Sequence, residues 1–261
     1  MRRDASPPLV QLVNLWCRCA SASLQAMKSG FGQFCPVAVA CEVFAGRWTP
    51  LILRELFAGA QQFNEIHRGI PHISRPLLAR RLRTLEAAQV ITREPLPAGR
   101  GHRYCLTEAG REFRSVVDGL GAWGQRWTVR IDRQHLDPGF LMWNMRRRIA
   151  LDRLPPRRVV VRLKFSGVAP AYRGPRVFWL LLERSKADLC VSDPGFEIDL
   201  YVEADLGAMA KVWLGDAPME SVLHSKEVRL AGPRELAKQF PSWLMLSKFA
   251  DVPRPERSVR R

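Results

Sequence analysis

The chain has 261 residues, 47% of them hydrophobic, which is enough to give each of two domains its own core. Its 41 Lys and Arg against 25 Asp and Glu leave a formal net charge of +16, which points to a polyanionic partner, either nucleic acid or an anionic membrane surface. No run approaches the ~20 apolar residues of a spanning helix, so no membrane span is expected.

Residues 1–34 hold four basic residues and one acidic, 35–134 fifteen and nine, and 135–261 twenty-two and fifteen, so local clustering rather than total charge must locate the function. The six cysteines, at 17, 19, 35, 41, 105 and 190, lack metal-ligand spacing: Cys17 and Cys19 have no companion pair and no histidine cluster. No metal and no cofactor is expected, and the chain reads as cytoplasmic with reduced thiols. Arg2, Arg3 and the apolar stretch 9–16, interrupted by Gln11 and Asn14, make only a poor secretory signal. Because MKSGFGQFCPV runs directly into the first patterned helix, Met27 is the better start. Residues 1–26 are expected to be disordered or untranslated, within a poorly ordered extension 1–33.

The first folded segment, 34–134, opens with an apolar helix over 36–45 that ends at Gly46. Thr49 and Pro50 signal a second helix, with Thr49 as cap and Leu51, Ile52, Leu56 and Phe57 inward. Phe63, Ile66 and Ile70 pattern a brief third helix, and Pro71 and His72 turn the chain. The fourth helix, within 72–90, has Ser74 as cap and Leu78, Leu82 and Leu85 at i, i+4 and i+7 on the buried face. Opposite that face point Pro76, Ala79, Arg80 and Arg83, with Arg75 and Arg81 on the flanks. Between Glu65 and Glu86 the segment has no acidic residue, and an unmixed basic face suits a polyanion better than solvent does.

A short helix, a turn and a longer basic helix make a helix-turn-helix whose second helix can enter the major groove. Strand-like segments at 90–94 and 103–106 bracket LPAGRGH, a hairpin tip, with Arg93, Arg100, His102 and Arg103 on or beside it. This hairpin reads as the wing. From Thr107 a capped helix follows whose Phe113, Val116, Val117, Leu120, Trp123 and Trp127 form an apolar seam. Such a seam is either core or a dimer contact. A dimer would set two recognition helices about 34 Å apart on a palindromic operator.

The stretch CPVAVACEVFAGRWTPLILRELFAGAQQFNEIHRGIPHISRPLLARRLRTLEAAQVITREP, followed by YCLTEAGREF, resembles the HxlR branch of winged-helix transcriptional regulators, over about residues 34–127. The resemblance implies a homodimer that binds double-stranded DNA. It also brings forward Cys35, which matches an N-terminal cysteine that some members use as a redox or electrophile sensor; against that role, Cys35 begins a buried-looking helix, where a packed thiol is inert.

Asp137, Pro138 and Gly139 mark the start of a second domain, 135–250. An amphipathic helix over 140–151 puts Leu141, Met142, Met145 and Ile149 inward and leaves Arg146, Arg147 and Arg148 as a solvated face. Strands at 159–165, 177–183, 187–193 and 197–205 form an antiparallel sheet. Helices at 206–214 and 218–223, a strand at 227–232 and a helix from 233 to about 246 complete an α+β layer. Residues 251–261 form a basic disordered tail. No catalytic constellation emerges: beyond His135 at its very start, His224 is the domain's sole histidine, no Gly-x-Ser-x-Gly turn occurs, and Asp199, Glu203 and Asp205 sit at solvent-side and strand-end positions. An enzyme is not expected.

IDLYVEADLGAMAKVWLGD and MESVLHSKEVRLAGPRELAKQF resemble the sterol-carrier-protein-like fold, over roughly 137–249. That resemblance implies an apolar tunnel for a lipid or other apolar small molecule, with Phe178, Trp179, Met209 and Trp213 as candidate lining; methionines and aromatics at helical spacing are also ordinary core. The whole then reads as a repressor. Ser74, Arg75, Arg80 and Arg83 meet base edges and phosphates, Arg100 and Arg103 hold the backbone, and an apolar effector biases the dimer. Two alternatives stand beside it: a lipid carrier or accessory tethered to DNA, and a second domain that serves only dimerisation.

Overall fold

In a computed structural model of the protein the described residues are 30–96, 101–128 and 132–255. The expected extension up to residue 29 and the tail from residue 256 lie outside them. The described residues gather into two compact units, one of residues up to 67 with 72–114, the other of 68–71 with residues from 115 onward.

The first unit runs α1 (Pro36–Phe44), α2 (Thr49–Phe57), α3 (Phe63–Gly69), α4 (Arg75–Ala87), β1 (Ile91–Pro95), β2 (His102–Leu106) and α5 (Glu108–Glu112). Ile52, Leu53, Leu56, Ile66, Ile73, Leu78, Leu82 and Leu85 form its buried interior. Two expected caps are not made. The amide of Thr49 already bonds the Gly46 carbonyl at 2.8 Å, so the chain is wound before the helix starts and Thr49 is its buried first residue, with Trp48 at the cap. Ser74 holds the cap position of α4 in extended backbone but makes no side-chain cap bond. Pro76, at one of the two positions whose amide a cap would accept from, has no N–H. The inward face of α2 also differs, because Leu53 and Glu55 are buried while Leu51 and Phe57 are half-buried; Glu55 is held there by an ion pair to Arg54 at 3.0 Å.

Thr107 does cap, accepting from the Gly110 amide at 3.1 Å. The helix it starts is broken at Phe113, whose ring leaves the expected seam to stack on Phe44 at 3.6 Å between centroids. The chain resumes as α6 (Arg114–Trp127).

The second unit adds to α6 the helix α7 (Pro138–Arg146), strands β3 (Val159–Ser166), β4 (Val177–Glu183), β5 (Lys186–Cys190), β6 (Leu200–Asp205) and β7 (Val228–Ala231), and helices α8 (Leu206–Leu214), α9 (Met219–His224) and α10 (Arg234–Trp243). Alternate residues such as Val161, Leu163, Phe178, Leu180, Leu200 and Val202 face a core completed by Met142, Met209, Phe240 and Trp243, so the helices cover one sheet face.

The sheet is mixed, which corrects the antiparallel expectation: its order is β5-β4-β3-β6-β7, and β3 pairs parallel with β6, Leu163 opposite Val202. The meander β3-β4-β5 leaves β5 running the same way as β3. Residues 191–199 then carry the chain back to the open edge of β3, and a strand entering there after such a crossover is parallel. Two helices are shorter than their patterns. Asp137 caps α7 by accepting from the Phe140 amide at 3.0 Å, and the helix stops at Arg146. Pro241 removes an amide from the last turn of α10, which ends at Trp243. The arginines at the end of α7, Arg146, Arg147 and Arg148, are not a solvated face. They are half-buried, and the guanidinium groups of Arg146 and Arg147 lie over the Trp143 ring at 4.5 and 5.0 Å.

Candidate nucleic-acid interface

Behind α4, Leu78, Leu82 and Leu85 are at most 1% exposed, which anchors the helix and turns its other side outward. Ser74, Arg75, Arg80 and Arg83 are all exposed on that side. Arg75 is already oriented: its Nη1 donates to Asn64 Oδ1 at 3.1 Å and its guanidinium lies 5.8 Å from the Phe63 ring centroid, so α3 positions a side chain of α4. Arg81 differs from its neighbours. It is half-buried, with Nη1 3.1 Å from where a β-carbon on Gly46 would stand, and it belongs to the fold rather than to the outer face.

β1 and β2 pair antiparallel, Arg93 opposite Tyr104 and Glu94 opposite Arg103. Arg103 donates to Glu94 at 2.7 Å, and this carboxylate raises its already high pKa, so Arg103 is a fixed cation with one neighbour neutralised. Arg93 contacts the His102 ring at 3.1 Å. Arg100 lies outside the described residues. Burial pushes the Tyr104 phenol up while Arg93 and Arg83 pull it down, so a wing arginine and a recognition-helix arginine share one electrostatic neighbourhood. Asn64 and Glu94 are not singled out by the sequence pattern, and Phe63 is marked there only as an inward residue of the third helix. Glu94 is recoverable from hairpin register, whereas the Asn64 contact depends on a turn angle that no local pattern encodes.

Cys35 is exposed, and no residue of α1 is buried, so the packed-thiol expectation is overturned. The amides of Ala38 and Val37 face the sulfur and hold the thiol below its ordinary range, without closing a full capping bond. The four candidate ligand residues are not brought together. Phe178 and Met209 are fully buried core residues and Trp213 is half-buried at the core's edge. Trp179 lies on the opposite sheet face, beside Arg162 at 5.9 Å.

A buried leucine stripe behind an exposed basic helix, a short preceding helix and a following hairpin define a winged helix-turn-helix, a class of DNA-binding domain. Residues 43–132 match the HxlR-like helix-turn-helix family. An uncharacterized HTH-type transcriptional regulator of Methanothermobacter thermautotrophicus is 39% identical over 94 residues, 36% of this chain and 72% of that protein. The regulator YdeP of Bacillus subtilis is 34% identical over 100 residues, 38% of this chain and 78% of that protein. Among solved structures, the reduced form of the transcriptional regulator YodB from B. subtilis is 33% identical, with 38% of this chain and 100% of that one covered at a TM-score of 0.33. The chain belongs to the HxlR-like helix-turn-helix family.

Proposed function

We propose that the protein is a sequence-specific DNA-binding transcriptional regulator that acts as a homodimer on a palindromic operator and represses by covering it. The carrying observation is the exposure of Arg80 and Arg83 over a fully buried leucine stripe. In this reading Ser74, Arg75, Arg80 and Arg83 meet base edges and phosphates in the major groove, while Arg103, with Arg100, holds the backbone from the wing. The dimer reading is supported by α6, whose Val116, Leu120, Trp123 and Trp127 form an exposed stripe at helical spacing.

The second domain, proposed as a sterol-carrier-like module over 135–250, would bias the dimer through an apolar effector. One sheet face covered by helices supports that reading. A domain that serves to hold α6 is favoured by the dense packing of Phe178 and Met209. The test is a gel shift on the promoter region upstream of the protein's own gene, over a salt series. Arg80→Ala and Arg83→Ala are expected to weaken the shift, and unchanged binding by both would remove the groove assignment.

A further inference from the structure

We infer that the sheet face of the second unit that the helices leave uncovered binds single-stranded nucleic acid, with Arg162 as its phosphate contact and Tyr201 as its base-stacking ring. Because the helices take one sheet face, the alternation of the strands turns Arg162, Trp179 and Tyr201 together onto the other. Arg162 on β3 stands in register with Trp179 on β4 and with Tyr201 on β6. Its guanidinium lies 5.9 Å from one ring centroid and 6.0 Å from the other. Arg162 is half-buried and makes no hydrogen bond or ion pair among the described residues. A guanidinium partly withdrawn from water, with its N–H donors unspent, costs free energy that two ring faces offset only in part, and an anion recovers the rest. The Trp179 indole N–H is buried and likewise has no acceptor among the described residues, so the fold uses neither polar group.

The charges around this row select an anion. Each carboxylate at an outward strand position already faces a cation: Glu183 meets Arg158 at 2.6 Å, Asp188 meets Lys186 at 2.8 Å, Glu203 meets Lys164 at 4.0 Å and Asp205 meets Arg133 at 3.4 Å. Arg162 is left over, and so is the exposed Arg229, in register with the Glu203 that Lys164 already holds. Glu197 is exposed as well, but it follows Phe196, whose ring lies under Arg158 at the start of β3. The positive surplus therefore runs the other way, from Arg162 to Lys164, about 7 Å further along the strand, and Arg229. Tyr201 decides the kind of anion. Its ring is 44% exposed beside the guanidinium, an open platform on a sheet. Stacking a base on such a ring next to a phosphate contact is how single strands are held, and it needs bases that a duplex keeps stacked on one another. An acidic peptide would meet the arginines and leave the ring unused. Arg162 and Tyr201 belong to the second unit, so the inference does not rest on the groove assignment of α4.

The experiment is fluorescence anisotropy of a labelled oligothymidylate with the full chain over a salt series, in the parent and in an Arg80→Ala, Arg83→Ala background that removes the outward arginines of α4. Binding is expected in both. In that background Arg162→Gln is expected to weaken binding about fivefold and to make the slope of log K against log salt shallower by about 0.7, the loss of one phosphate on a single strand. Tyr201→Ala is expected to weaken it about fivefold or more, while Tyr201→Phe, which keeps the ring, binds as its background does. No binding in the α4 background, or undiminished binding by Arg162→Gln and Tyr201→Ala, overturns the site. Tyr201→Phe as weak as Tyr201→Ala overturns the stacking role. Displacement of the strand by oligoglutamate of equal charge overturns the nucleic-acid assignment in favour of an acidic peptide. The promoter gel shift is expected to be the same in the parent and in Arg162→Gln, so this site and the groove of α4 fail separately.

Discussion

The Phe249 ring occupies the space that any side chain at Gly121 would need, its Cζ 2.0 Å from the position of a β-carbon there. In an exposed helix interior, Gly→Ala ordinarily stabilises by about 1 kcal/mol. At Gly121 overpacking, about 1–3 kcal/mol, outweighs that gain. Two positions away Gly119 has no atom within 4 Å of its would-be β-carbon. Gly119→Ala is therefore expected to raise the calorimetric Tm and Gly121→Ala to lower it. A rise in both would mean that Phe249 does not rest on α6.

Arg80, Arg81 and Arg83 are near neighbours in sequence and separate by burial. Arg80 and Arg83 are exposed, so alanine at either is expected to leave Tm nearly unchanged. For each phosphate that such a variant no longer neutralises, the slope of log K against log salt should become shallower by about 0.9. Arg81 is tucked against Gly46, so Arg81→Ala is expected to lower Tm instead. Fluorescence anisotropy on a labelled operator fragment over a salt series, alongside calorimetry, separates the two outcomes; equal salt slopes in parent and Arg83→Ala would remove Arg83 from the interface.

These features differ in how far the sequence shows them. The leucine stripe of α4 is legible because a 3.6-residue period over a well-isolated helix dictates burial, and Leu78, Leu82 and Leu85 are buried as that period requires. Strand β4 and helix α8 are legible because turn residues bound each apolar run. The parallel pairing of β3 with β6 is not, since the choice of strand neighbour depends on which sheet edge is open and not on either strand's own pattern. The same limit explains α6. Val116 and Val117 are equally apolar, yet Val117 is buried and Val116 exposed; Val117 lies one turn before Gly121, which Phe249, over a hundred positions later, covers. Of the interface, the arginines of α4 are legible and the partners that steer Arg75 and Arg103 are not.

The exposed stripe on α6 should be worth binding energy to a second copy. Trp123 is 60% exposed and sits between Leu120 and Trp127 on one face. Trp123→Glu places a charge in the middle of that surface, at an expected cost of about 2 kcal/mol or more to dimerisation, roughly a thirtyfold weaker Kd. Sedimentation equilibrium should show the variant shifted to monomer with an unchanged circular dichroism spectrum. A parent that is monomeric at tens of micromolar would remove this stripe from the dimer proposal.

Cys35 should be the most reactive of the described thiols. It is exposed, while Cys41, Cys105 and Cys190 are half-buried, and the Ala38 and Val37 amides favour its thiolate. A lowered pKa means that the thiolate is populated at lower pH than an ordinary thiol, and it is lost only when pH falls through that depressed value. The iodoacetamide alkylation rate at Cys35, followed by mass spectrometry, is expected to reach half its maximum below the ordinary thiol value of about 8.5. If the thiol also serves as a sensor, peroxide should alter operator affinity in the parent and not in Cys35→Ser. A half-maximum at or above the ordinary value would show that the amides do not stabilise the thiolate, and the sensor role would lose its chemical basis even if DNA binding were confirmed.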